Sequence, residues 1–161
     1  MGEGAVKWSL DELLPHREPM MLLEAVETFD PEARRLTARV RVTPEQVALF
    51  GNASGVPNWV AIEYMAQTSA ALAGCWDRHV APDRPARPGL LLGTRKFELG
   101  IDRFEACGVY HVTAEDILSD EDAASFACSI RDDAGHEVAK ANLNAYRPPD
   151  MARFLKEQMK A

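Results

Sequence analysis

Glu63 stands out for its setting. It lies early in the stretch Asn58 to His79, NWVAIEYMAQTSAALAGCWDRH, among Val60, Ala61, Ile62, Met65 and Ala66, with Gln67 one helical turn further on. A carboxyl group among apolar side chains is costly unless it is hydrogen-bonded, protonated or used in chemistry. It either belongs to a structural network or reaches solvent at a helix edge, or it serves as a general acid/base. Of the four histidines, His16 alone sits in a motif-like setting, Pro15-His16-Arg17-Glu18-Pro19, held between two prolines. A histidine and a carboxyl group together can take a proton from the carbon next to a carbonyl and return one to a leaving hydroxyl. His79 closes the helix, where a cation suits the dipole, His111 alternates along a strand and His136 lies in a turn, so all three read as cap, surface or core groups. Gly51 to Gly55 leads into the helix. Gly55 allows close approach of backbone to a ligand, and the N–H groups near Asn58 and Trp59 favour a developing negative charge. Most glycine-rich loops ahead of helices are only turns.

The elements that must hold these groups follow from the periodicity. The run from Asn58 to His79 contains no proline, is rich in helix formers and is long enough for roughly 30 Å of helix. It is apolar on nearly every face, which predicts a buried helix. Ser9 and Glu12 form a capping box for a short helix that Pro15 ends. Met20 to Phe29 reads as a strand, Asp30-Pro31-Glu32-Ala33 as a turn, and Leu36 to Val42 as an alternating strand that completes a hairpin. Pro44-Glu45-Gln46 starts a turn of helix. After the proline-rich connection 81–88, strands are expected over Gly89–Leu99, Gly108–Leu118, Ala123–Arg131 and Glu137–Tyr146. A short amphipathic helix over 150–160 then closes the chain, while residues 1–8 carry no pattern and are expected to be mobile. One helix and six antiparallel strands bury that helix only if the sheet wraps around it, an α+β hotdog arrangement in a single domain over 1–161.

With 161 residues the chain can bury roughly 70% of its unfolded surface. Its net charge of −7 argues against nucleic acid and against anionic membranes as partners. No apolar N-terminal run with a basic flank is present, and the longest apolar stretch carries Glu63, Gln67, Thr68 and Ser69, a poor membrane span. Cys75, Cys107 and Cys128 match no metal or redox spacing and read as small side chains in a reducing cytoplasm.

Two segments resemble a known family. LLPHREPMMLLEAV is similar to the opening of the beta-hydroxyacyl-carrier-protein dehydratases of fatty-acid synthesis, and Glu63-Tyr64-Met65-Ala66-Gln67 to the E-x-M-A-Q of their central helix. The dehydratase-like proteins of aryl polyene pigment clusters are more similar still. Pro57, Trp59, Ala61 and Glu63, then Leu90 to Gly93, then Asn144, Tyr146 and Pro148 stand in the places of their motifs. The resemblance spans about Leu10 to Pro148. It departs at one point: the histidine expected near Leu49 or Phe50 is missing, and no histidine stands between Arg17 and Glu63.

The resemblance implies dehydration of a 3-hydroxyacyl thioester on an acyl carrier protein, with Glu63 as acid/base and His16 as the candidate partner base. It sets Gln67, Asn58, Trp59, Gly55 and Gly93 at the substrate and requires no metal or organic cofactor. It also implies a homodimer, since the free edges of a six-stranded sheet need covering. A hotdog thioesterase and a non-catalytic subunit partnering an active dehydratase are the alternatives. Because carriers are acidic, docking on this acidic chain calls for a local basic patch. The segment from Arg78 to Lys96 supplies one with Arg84, Arg87, Arg95 and Lys96.

Overall fold

The computed structural model describes residues 6–50, 54–83, 89–120 and 122–160. Short helix α1 (Leu10–Leu13) begins at Ser9. The Ser9 hydroxyl accepts the Glu12 N–H, and the Glu12 carboxylate accepts the Ser9 N–H at 2.7 Å, the reciprocal capping the sequence predicts. Strands β1 (Ala25–Asp30) and β2 (Arg35–Arg41) form a hairpin. Its turn is set by Asp30, whose carboxylate accepts the N–H groups of Glu32 and Ala33 at 3.0 Å each. Helix α2 (Pro44–Phe50) and strand β3 (Gly55–Pro57) follow, then a 3₁₀ turn (Asn58–Val60) that runs into α3 (Ala61–Val80). The rest comprises β4 (Leu90–Leu99), β5 (Arg103–Glu105), β6 (Val109–Ser119), β7 (Ala123–Asp132), β8 (Glu137–Tyr146) and α4 (Met151–Lys160).

The main sheet has six antiparallel strands in the order β1-β2-β6-β7-β8-β4, and β3 pairs with β5 in a separate two-stranded ribbon. The inward residues of β2 and β6, among them Leu36, Val40, Val112 and Ala114, are fully buried and pack on α3. This is the hotdog arrangement: a sheet wrapped on a helix.

Several expectations are corrected. Met20 to Glu24 is not strand. Leu22 and Leu23 are buried there, but the backbone turns to side-chain partners: Leu22 N–H donates to Gln67 and Leu22 C=O accepts from Gln46. The turn expected from Pro44 extends as a helix over Pro44–Phe50, in which Gln46 turns inward and also accepts from the Tyr64 hydroxyl at 3.0 Å. The ribbon β3–β5 lacks the length to show an alternating pattern. Gly55 is needed there for packing, since a Cβ would come within 2.1 Å of the Phe104 carbonyl oxygen. Helix α3 is not buried all round. Glu63, Ala66, Ala70 and Ala73 form a half-buried line at spacings of three and four residues, facing a cavity rather than core. The expected mobile segment 1–8 lies largely outside the described residues, as do Arg84 and Arg87.

Candidate active site

Gln67 is the anchor of the site. It is fully buried, and each end of its amide has work to do. Its oxygen accepts the Leu22 N–H at 3.0 Å, while its nitrogen donates to the Met20 carbonyl at 2.7 Å and to Glu63 Oε1 at 2.9 Å. The amide therefore fastens the segment after Pro19 to α3 and fixes the rotamer of Glu63. A glutamine one turn from a glutamate is placed for this by helix geometry alone. The Glu63 side chain is 36% exposed, not buried as its apolar neighbours suggest, because the line of alanines below it leaves the helix face open.

His16 closes the other side. Its Nε2 lies 3.6 Å from Glu63 Oε1. Its Nδ1 is buried and meets no hydrogen-bond partner among the described residues, so Nε2 is the nitrogen turned to the carboxyl group. The loop that carries His16 is stiffened by Arg17, which donates to the carbonyls of Leu14 and His16 at 3.0 and 2.8 Å. Gly74 lets α1 approach α3, since a Cβ there would stand 3.0 Å from the Leu13 carbonyl oxygen. Both histidine and glutamate thus come from one chain, the histidine from the loop before β1 and the glutamate from α3.

Behind them opens a cavity of about 430 Å³. Its walls are mainly apolar: Leu13, Leu14, Ala66, Ala70, Leu143 and Ala145 among others, with Leu91 of β4 at the sheet edge. A cleft of this size with convergent titratable groups at one end suits an elongated apolar ligand with a reactive head. No cluster of metal-ligating side chains is present among the described residues. Cys128 lies against Ser69 at 3.3 Å and burial pushes its thiol up to about 11, while burial drives Cys75 up to about 12. Thiols held protonated in this way do not serve as nucleophiles.

Other sequence candidates fall elsewhere. Asn58 donates to the Ile101 carbonyl at 2.9 Å, Trp59 is 59% exposed and stacks edge-on with Phe50, and Gly55 pairs with Glu105 in the ribbon. Gly93 sits on β4 beside a break in register, with open space where its Cβ would be. None of the four lines the cavity with His16 and Glu63 in this chain. Arg95 and Lys96 are exposed on β4, at a second register break where Lys96 has φ 53°. His79 packs against the rings of Phe29 and Trp76, and His136 is tied to Asp132 in its turn. His111 holds two carboxylates, Glu27 at 2.7 Å and Asp133 at 2.9 Å. Sequence reasoning missed Arg147, which lines the far end of the cavity from just beyond β8. It also missed Gln46 and Tyr64, whose network only the fold brings together.

Residues 8–156 match the profile of the ApeP-like family, described as ApeP dehydratase. The chain belongs to that family. A dehydratase heterocomplex, ApeI:P from Xenorhabdus doucetiae, is similar in structure with a TM-score of 0.80 and 28% identity, covering 92% of this chain and 96% of that one. Among curated proteins, the 3-hydroxyacyl-[acyl-carrier-protein] dehydratase FabZ of Chlamydia pneumoniae is 38% identical over 88 residues, 53% of this chain and 56% of the relative. The chain spans about half the length of the curated relatives it matches. A thioesterase-like protein from Streptococcus pneumoniae with bound coenzyme A shares the fold at 11% identity and a TM-score of 0.58, covering 79% of this chain and 88% of that one. No helix among the described residues is long and apolar enough to cross a membrane.

Proposed function

We propose that this protein removes water from a 3-hydroxyacyl thioester delivered on an acyl carrier protein in the cytoplasm. The observation that carries the reading is the pair His16 and Glu63 at 3.6 Å, at the head of an apolar cavity, with Glu63 fixed by a buried glutamine. The acyl tail lies in the cavity and the thioester points outward. His16 Nε2 takes the proton from C2, and the electron pair of that C–H bond forms the C2–C3 double bond. The C3–O bond breaks as the Glu63 carboxyl group gives its proton to the hydroxyl, and water leaves. The proton on His16 then returns to Glu63 across the short gap between them. Gln67 donates to Oε1, the oxygen that also faces His16, and so keeps the carboxyl group turned toward the histidine. A positioned pair of this kind contributes about 10²–10⁴-fold per proton transfer.

The test uses purified protein and a carrier-bound 3-hydroxyacyl chain, with mass spectrometry to separate loss of water from release of free acid. Loss of water by the parent, abolished in a folded Glu63→Gln variant, is the expected result. Free acid as the product would instead make the protein a thioesterase. Exposed Arg95 and Lys96 serve carrier docking in this reading. Arg95→Glu with Lys96→Glu then raises KM for the carrier-bound substrate and leaves a short carrier-free thioester unchanged.

A second reading has its own support. No histidine stands between Arg17 and Glu63, and the similar ApeI:P assembly is a heterocomplex. In that reading the chain pairs with a second dehydratase subunit, which supplies the main catalytic groups. Its mark in the same assay is silence of the chain alone and turnover only after such a subunit is added.

A further inference from the structure

The cavity that holds His16 and Glu63 is not isolated. It meets a second cavity of about 610 Å³, and Ala73, Phe126 and Arg147 line both. The second space is polar, lined by Arg34, Asp77, Asp116 and Asp120 beside the Trp76 ring. At the boundary Arg147 grips Asp77 with both guanidinium nitrogens, Nη2 to Oδ2 and Nη1 to Oδ1, the latter at 3.5 Å. The side chains of Arg147 and Asp77 are only 16% and 9% exposed. Asp77 lies in the last turn of α3, where the helix dipole disfavours a carboxylate. Its charge is thus held in place by Arg147, from the chain just past β8.

We propose that the Arg147–Asp77 ion pair is the end stop of the acyl channel and sets the longest chain that binds. The inference rests on the thioester reading above and names a specificity determinant for it. The channel floor is the line Ala66, Ala70 and Ala73 on α3, small enough for a hydrocarbon to lie against the helix. Ala73 follows Glu63 by ten residues, a rise of about 15 Å. An extended carbon chain with bonds of about 1.5 Å advances roughly 1.25 Å per bond, so the channel holds roughly 12 carbons. Up to the wall each buried methylene strengthens binding about fourfold. Past it, a methylene must part a buried ion pair, which is unfavourable because the Asp77 carboxylate, buried at the end of α3, then loses the guanidinium that holds it.

The test measures affinity for saturated S-alkyl thioethers of pantetheine, about 6 to about 18 carbons long, which can neither hydrolyse nor lose water; affinity gains should stop about 12 carbons beyond the C3 position that Glu63 faces. Asp77→Ala with Arg147→Ala removes both charges of the pair together, and it should move the break outward by several carbons. Ala73→Leu fills the inner end of the channel, and its break should fall a few carbons earlier than the parent's. A break at the same length in both variants overturns the proposal. If thermal melting shows that the double variant does not fold, Ala73→Leu decides alone, and an unmoved break there overturns it equally. Failure of the dehydratase reading looks different: the thioethers bind with this length dependence while the carrier-bound 3-hydroxyacyl chain keeps its water.

Discussion

At the scale of single residues the site is a relay of three side chains with distinct duties. Gln67 is purely positional and Glu63 is held by it, whereas His16 depends on loop geometry and on Arg17. His16→Ala should lower turnover by about 10²-fold or more, the contribution of one general acid/base group. The check is kcat with carrier-bound substrate on a variant whose melting matches the parent. Activity within a few-fold of the parent would assign His16 a structural role and favour the heteromeric reading. His111 offers a separate prediction. The hydrogen bond to Asp133 is the largest influence on its imidazole, and with Glu27 it holds the group above the ordinary range against the opposing effect of burial. A group with a raised folded-state pKa stabilises fully below its unfolded value and loses that contribution as pH climbs through the folded one. His111→Gln should therefore lower Tm most below about pH 6.5 and progressively less as pH rises above it. The side chain is 29% exposed and solvent screens the pairs, so the largest effect is about 1 kcal/mol, or about 2–4 °C. A pH-independent difference would separate His111 from this linkage.

At the scale of elements, regular patterns were legible and tertiary partners were not. The strand Glu137–Tyr146 and helix α4 start and stop where alternation and prolines place them, and the capping box at Ser9 forms as spelled. Residues 20–24 misled because Met20 to Leu23 is as apolar as a strand, yet its hydrogen bonds go to Gln46 and Gln67, far off in sequence. Composition also disguised α3. Five alanines and a glycine look buried in a list, but the small side chains of Ala66, Ala70 and Ala73 leave a cavity beside the helix. Of the site, Glu63, Gln67 and His16 could be named from residue type and spacing. Arg147 could not, because nothing local marks an arginine after a strand as the partner of a helical aspartate seventy residues earlier.

At the scale of the whole molecule, the two sheet edges are treated differently. Next to β1, Glu24 is engaged by Arg39 and Arg41 at 2.7 and 3.0 Å, which covers that end with charge. On β4, Leu91 and Leu92 are 43% and 66% exposed, and Leu91 borders the cavity of His16 and Glu63. An apolar edge strand with free backbone groups invites a partner strand. We therefore expect self-association or pairing with a related subunit along β4. Sedimentation at micromolar concentration should give at least a dimer mass for the parent and a smaller one for Leu92→Glu. A strictly monomeric parent that nonetheless turns over substrate would refute the idea. The breaks in register near Gly93 and Lys96 confine any such pairing to short stretches of β4.

The Gln67 amide has one more consequence. Its bonds to Met20 and Leu22 span more than forty residues of chain. Until that distant closure occurs, Glu63 has no fixed orientation and His16 has no defined neighbour. A growing or half-collapsed chain accordingly carries every side chain of the proposed centre and still lacks their arrangement. On the proposed reading, chemistry on a reactive thioester waits on the same knot that completes the architecture.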